Sequence, residues 1–99
     1  MAAMSHEELV REEKRFDSIY FHQLTYTAAL LSTGSAINTT MAVATGQVKN
    51  AIAVIRPPGH HAEADHSMGF CHFDNVSIAA KVLKQRYPDQ YRKILILDW

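Results

Sequence analysis

The sequence predicts an α/β protein in which helices flank a parallel sheet. Two short apolar runs, residues 51–55 (Ala-Ile-Ala-Val-Ile) and 94–97 (Ile-Leu-Ile-Leu), lack the alternation of a half-exposed strand, as expected for strands covered on both faces. Between them, the apolar side chains of residues 76–83 have the spacing of one helix face. A crossover long enough to contain a helix favours parallel strands in a right-handed βαβ connection.

The first predicted element is a short charged helix within residues 1–16. Ser5 and Glu8 have the spacing of a capping box, which marks a helix start. Because this segment carries few apolar side chains, we interpret it as a weakly anchored, solvated helix or a frayed terminus. The folded unit is then expected to cover residues 17–99.

Two further helices are predicted. The first runs from Leu24 to about Val43 and stops at Gly46, and its apolar side chains on more than one face predict a mostly buried helix. The second starts after Asp74, a candidate N-cap, and ends before Pro88.

Composition excludes several classes of function. Ten basic and ten acidic side chains leave no net charge at pH 7, so no summed field would attract nucleic acid or an anionic membrane. The single cysteine, Cys71, excludes an intramolecular disulfide and is interpreted as a packing residue. No signal peptide and no apolar run of bilayer length are present, so we expect a soluble, intracellular protein.

The most informative segment is 56–61, Arg-Pro-Pro-Gly-His-His, which directly follows the first apolar run. Two prolines end the predicted strand, and Gly59 permits a backbone conformation that a side chain would hinder. His60 and His61 would then lie at the carboxyl end of a strand, where open α/β sheets bind ligands. Paired imidazoles can move protons near neutral pH, whereas the simplest alternative is a polar surface loop.

Residues 56–61 resemble the active-site segment of the zinc-dependent histone deacetylases, in the form typical of the class II, Hda1-like branch. Other parts of the chain follow the family order, namely residues 17–20, 25–29, 69–71 and 94–99. The resemblance covers roughly four-fifths of the chain, more than a short motif matched by chance. It implies that residues 17–99 are a partial catalytic domain of the arginase/deacetylase-type three-layer fold, with a parallel sheet flanked by helices.

The resemblance implies roles for five residues. His60 corresponds to the electrostatic partner and His61 to the general base and acid of the family. Asp98 corresponds to the aspartate that orients His60 and contributes to a structural monovalent-cation site. Gly69 and Phe70 correspond to residues that line the acetyl-lysine tunnel. Without the resemblance, Asp98 is a strand-end carboxylate and the other two are a glycine turn with a core phenylalanine.

A catalytic zinc ion (Zn2+) is also implied by the resemblance. Its ligands in the family are two aspartates and a histidine, all expected beyond Trp99, with the first at the very next position. The family's oxyanion-stabilising tyrosine is expected beyond Trp99 as well. Acidic and histidine residues within the loop 63–72 lack the spacing of a zinc finger, so no zinc ligand is predicted in this chain. We therefore expect the chain alone to be inactive.

Two hypotheses of different classes remain. The first is a partial histone deacetylase domain whose complete form hydrolyses N-acetyl-lysine on histones or other proteins. It would act in the nucleus, with the cytoplasm as an alternative, in corepressor complexes that repress transcription, and without direct contact to nucleic acid or membrane. A polyamine-type deacetylase is the small-molecule alternative within this class. The second hypothesis is a non-catalytic binding module on a truncated deacetylase scaffold.

Overall fold

The computed structural model describes residues 3–16 and 21–99. It contains three helices, which are α1 (His6–Glu13), α2 (Thr25–Ala44) and α3 (Asn75–Arg86). The three helices predicted from the sequence are therefore confirmed. Residues 17–20, part of the family-like sequence, lie outside the described residues, and the boundary between 1–16 and 17–99 stays a prediction.

Helix α1 begins with the predicted capping box. The Ser5 hydroxyl accepts a hydrogen bond from the Glu8 N–H at 3.3 Å, and the Glu8 carboxylate accepts one from the Ser5 N–H at 2.8 Å. The backbone hydrogen bond from Ser5 holds the pKa of Glu8 below its usual value. Leu9 is fully buried and the Glu13 carboxylate accepts a hydrogen bond from the Phe21 N–H. Helix α1 is thus anchored more firmly than the sequence predicts.

Helix α2 ends as predicted, since Gly46 adopts a φ of +80° just beyond its last turn. The prediction of a mostly buried helix is wrong. Its buried side chains form one narrow stripe, consisting of Ala29, Ser32 and Ala36. Helix α3 packs against α2, while Leu31, away from that stripe, is 67% exposed. Burial follows the face that a neighbouring element covers and not apolar content alone.

Helix α3 begins at the predicted N-cap, where the Asp74 carboxylate accepts a hydrogen bond from the Ser77 N–H at 3.2 Å. Its buried face consists of Asn75, Ala79 and Leu83. Beyond the helix, the Tyr91 hydroxyl donates to the Ala44 carbonyl at 3.0 Å. This bond satisfies a carbonyl at the end of α2 and ties the last part of the chain to it.

The two predicted strands are absent. Neither 51–55 nor 94–97 forms a strand, and within residues 3–16 and 21–99 the β pairing consists of one isolated bridge between Met68 and Cys71. A strand requires ladder hydrogen bonds to a neighbour, and these two segments make no backbone hydrogen bonds to each other. The prediction of two strands is wrong for this chain, because an apolar pattern does not by itself provide a neighbouring strand to pair with.

The first of these segments nevertheless has the side-chain alternation of a strand. Residues 51, 53 and 55 line an open cavity of about 700 Å³ together with α3 residues and residues 94–98. Ile52 and Val54 point elsewhere and are 90% and 95% exposed. Ala51 and Ala53 are also exposed, so the segment is not covered on both sides as the sequence predicted. In the described part of the chain, no helix is both long and apolar enough to cross a membrane.

Candidate active site

The structure brings His60 and Asp98 together across 38 positions of sequence. The His60 Nδ1 lies 2.7 Å from the Asp98 Oδ2, and the two side chains are 50% and 55% exposed. A carboxylate can only accept, so this contact requires a proton on Nδ1 and leaves Nε2 as the free nitrogen of the neutral ring. The histidine is thus held in one orientation and one tautomer.

His61 lies beside His60, with the ring centroids 4.2 Å apart and the planes at 45°. Its backbone N–H donates to the Cys71 sulfur at 3.4 Å. Gly69 touches the ring of His61, because a Cβ built on this glycine would lie 2.7 Å from the His61 Cδ2. Gly69 also has a φ of +56°, which disfavours any side chain.

Cys71 has a structural role beyond the packing predicted from the sequence. It is fully buried, and its thiol donates to the Gly69 carbonyl at 3.4 Å while accepting from the His61 N–H. The thiol therefore joins the loop at Gly69 to the backbone of His61. Sequence reasoning missed this link, although the Gly-Phe-Cys turn indicated where the chain would reverse.

Phe70 lines a different cavity from the one that His60 lines. It has a φ of +64°, is 56% exposed and lines a cavity of about 270 Å³ with Arg56, Pro57 and His72. His60 and Asp98 line the larger cavity instead. The structure thus places Gly69 against His61, and Phe70, the next residue, lines the smaller cavity.

Two buried polar side chains meet just before the histidines. The Ser32 hydroxyl donates to the Pro57 carbonyl at 2.8 Å, and the Asn75 Nδ2 donates to the Ser32 Oγ at 3.1 Å and to the same carbonyl at 3.3 Å. Neither residue was selected from the sequence. Polar residues on helix faces that otherwise bury alanine and leucine are the signal that would have found them.

Partial burial of His72 predicts that the stability of the fold depends on pH. Burial lowers its pKa below the usual 6.5, and its ring packs against Phe21 at 5.4 Å with Nδ1 3.3 Å from the Ser67 hydroxyl. Since the folded state binds the proton less readily than the unfolded chain, the free energy of unfolding should fall as the pH falls below about 6.5.

Replacing His72 with phenylalanine is expected to remove this part of the acid destabilisation, because the new ring has no proton to bind. Urea unfolding between pH 5 and 8 measures it. The matched control is His6→Phe, since His6 is exposed on α1. Equal pH dependence in the wild type and His72→Phe would contradict the expectation.

Comparison with known proteins decides the family. The histone deacetylase domain family matches residues 1–99. The chain belongs to the histone deacetylase family. It is 54% identical over 96 residues to histone deacetylase clr3 of Schizosaccharomyces pombe and 51% identical over 96 residues to histone deacetylase HDA1 of Saccharomyces cerevisiae. Each match covers 97% of this chain and 14% of the relative, so the chain spans about one-seventh of those proteins.

A relative named for a different activity is also similar. Polyamine deacetylase HDAC10 of Rattus norvegicus is 47% identical over 93 residues, which are 94% of this chain and 16% of the relative. The class II, Hda1-like resemblance predicted from the sequence is confirmed by the fungal relatives. Membership implies the arginase/deacetylase fold, of which the described residues show the helices and no strand.

Zinc is the metal of this family. A catalytic zinc site takes three protein ligands and an open position for water. Within residues 3–16 and 21–99, no group of three or more histidine, cysteine, aspartate or glutamate residues could hold a metal ion. The described residues therefore do not fit the zinc site.

Proposed function

We propose that this chain is part of a zinc-dependent protein lysine deacetylase that hydrolyses N-acetyl-lysine on histones or other proteins. The observation that carries the proposal is the contact between His60 and Asp98, with His61 beside it, in a family motif. A carboxylate that orients one member of an imidazole pair is an arrangement suited to acid–base catalysis.

The histidine pair supplies the proton transfers of amide hydrolysis. Water adds to the acetyl carbonyl as His61 accepts its proton, and the carbon–nitrogen bond then breaks as His61 returns that proton to the leaving amine. Acetate and a free lysine amine result. Asp98 holds His60 in place, and the His60 ring, 4.2 Å from His61, stabilises the charge that His61 gains and loses.

Gly69 and Phe70 are proposed to shape the path of the substrate. The absence of a side chain on Gly69 lets the loop lie against the His61 ring, so the backbone can come close to the reacting group. Phe70 presents an aromatic side chain that can pack on the methylenes of a lysine.

In the complete domain, residues 51–55 and 94–97 are proposed to be strands of a parallel sheet. Alternate residues of 51–55, at positions 51, 53 and 55, line the larger cavity, and this alternation supports the proposal. A layer of helices packed on the other face of the sheet would cover Ile52 and Val54, which are 90% and 95% exposed in the described structure.

Substrate and location follow from the relatives. Two fungal relatives are named histone deacetylases, so acetylated histones are the proposed substrate and the nucleus is the proposed location. Corepressor proteins, which the family resemblance implies, are the proposed partners. The second candidate is a polyamine deacetylase, because the rat relative that carries this name is nearly as similar.

An activity assay on the longest protein that carries this segment tests the proposal. We expect zinc-dependent release of acetate from an acetyl-lysine histone peptide, faster than from an N-acetylated polyamine. Faster turnover of the polyamine would favour the second candidate. A folded, zinc-loaded protein that hydrolyses neither compound would contradict both and favour a binding module.

A further inference from the structure

We propose that Ser32 and Asn75 are positioning residues that hold the turn from which His60 and His61 project. This inference rests on the proposed function. The two side chains lie on different helices and meet at the Pro57 carbonyl, three residues before His60.

The first support is the shared hydrogen-bond acceptor. Pro57 O accepts from Ser32 Oγ at 2.8 Å and from Asn75 Nδ2 at 3.3 Å, while Asn75 Nδ2 also donates to Ser32 Oγ at 3.1 Å. A carbonyl oxygen can accept two bonds, so one acceptor serves the Ser32 hydroxyl and the Asn75 amide nitrogen at once. It fixes Pro57 relative to α2 and α3 together.

Burial strengthens these bonds. Ser32 is 3% exposed and Asn75 is 4% exposed, and both lie where α2 and α3 pack against each other. Alanine serves at the neighbouring buried positions, Ala29, Ala36 and Ala79. Helix packing alone therefore does not require a hydroxyl and an amide here, and a buried polar group without a partner is destabilising. What the two polar side chains share is a hydrogen bond to the Pro57 carbonyl.

Gly59 lies in sequence between the bonded Pro57 and His60, and it contacts the start of α3. A Cβ built on Gly59 would lie 2.5 Å from both the Asn75 nitrogen and the Phe73 carbonyl oxygen, and 2.6 Å from the Asn75 Oδ1. The turn therefore lies directly against the first residue of α3. With Pro57 bonded and Gly59 in contact, His60 leaves the turn in a fixed direction that reaches Asp98.

The test uses pairs of substitutions matched in shape, in the longest protein that carries this segment. Ser32→Val and Ser32→Thr have the same shape as each other, but only the threonine keeps a hydroxyl. Asn75→Asp keeps the shape of the amide and removes the donor; the carboxylate also adds a charge, for which the first turn of a helix is the most favourable place. We expect Ser32→Val and Asn75→Asp to lower kcat roughly 10- to 100-fold with KM within about twofold, and Ser32→Thr to restore most of the loss.

The crystallographic distance from His60 Nδ1 to Asp98 Oδ2 is the second readout. It should exceed hydrogen-bond range in Ser32→Val and Asn75→Asp and stay near its present 2.7 Å in Ser32→Thr. The exposed residues Ser35 and Ser77, changed to Val and Ala, are matched controls on the same helices and should leave both readouts unchanged.

The outcomes distinguish failure of the positioning role from failure of the proposed deacetylase function. If kcat falls only in proportion to the folded fraction, or if the His60 to Asp98 distance is the same in all variants, the positioning role is wrong. If the wild type lacks deacetylase activity, the proposed function fails, yet the distance in the variants still decides whether Ser32 and Asn75 position His60.

Discussion

Replacing His61 with alanine should lower kcat/KM for acetyl-lysine hydrolysis roughly 10²- to 10⁴-fold, the range typical of a lost general base and acid. The ring lies 4.2 Å from His60 and against Gly69, so no other imidazole is held in the same place in the described structure. Steady-state kinetics on a histone peptide, in the longest protein that carries this segment, measures the effect.

The matched control for this prediction is His6→Ala, which removes an exposed imidazole on α1. It should leave kcat/KM within about twofold of the wild type, since surface substitutions rarely disturb a fold. A variant His61→Ala that is folded and turns over at the wild-type rate would show that this ring carries no proton in the reaction.

The largest expected effect on stability comes from Gly59→Ala. The new Cβ would lie 2.5 Å from two backbone atoms, the Asn75 nitrogen and the Phe73 carbonyl oxygen, which cannot rotate away as a side chain can. We expect the free energy of unfolding to fall by about 3 kcal/mol, at the upper end for overpacked sites. Urea unfolding followed by circular dichroism measures the change.

Gly34→Ala provides the opposite result in the same experiment. A Cβ on Gly34 would meet nothing within 4 Å, and the residue lies inside α2, where alanine is favoured over glycine by roughly 0.5–1 kcal/mol. Gly34→Ala should therefore stabilise the protein. Equal effects of the two substitutions would mean that Gly59 does not lie against α3 as described.

The helices were predictable because their signals are local. The capping box at Ser5 and Glu8, the N-cap Asp74 and the positive φ of Gly46 each depend on a few neighbouring residues, and each is present. The burial of α2 was not predictable, because exposure depends on which face a distant segment covers. The predicted strands failed for the same reason, since pairing requires a partner that an apolar run does not specify.

Within the candidate site, the motif at 56–61 indicated the histidine pair, and the family resemblance indicated Asp98. Spacing alone could not place a residue 38 positions away at 2.7 Å from His60. Ser32 and Asn75 escaped notice because single polar residues on helices are common in sequences. Only their burial and shared acceptor distinguish them.

The most direct test of the proton-transfer pair is a crystal structure of the longest protein that carries this segment, with an acetyl-lysine peptide bound. The account predicts a His61 ring nitrogen within about 3.2 Å of the water that faces the acetyl carbonyl, and His60 still bonded to Asp98. A peptide seated with its acetyl group away from both rings, and no water joining them, would contradict it.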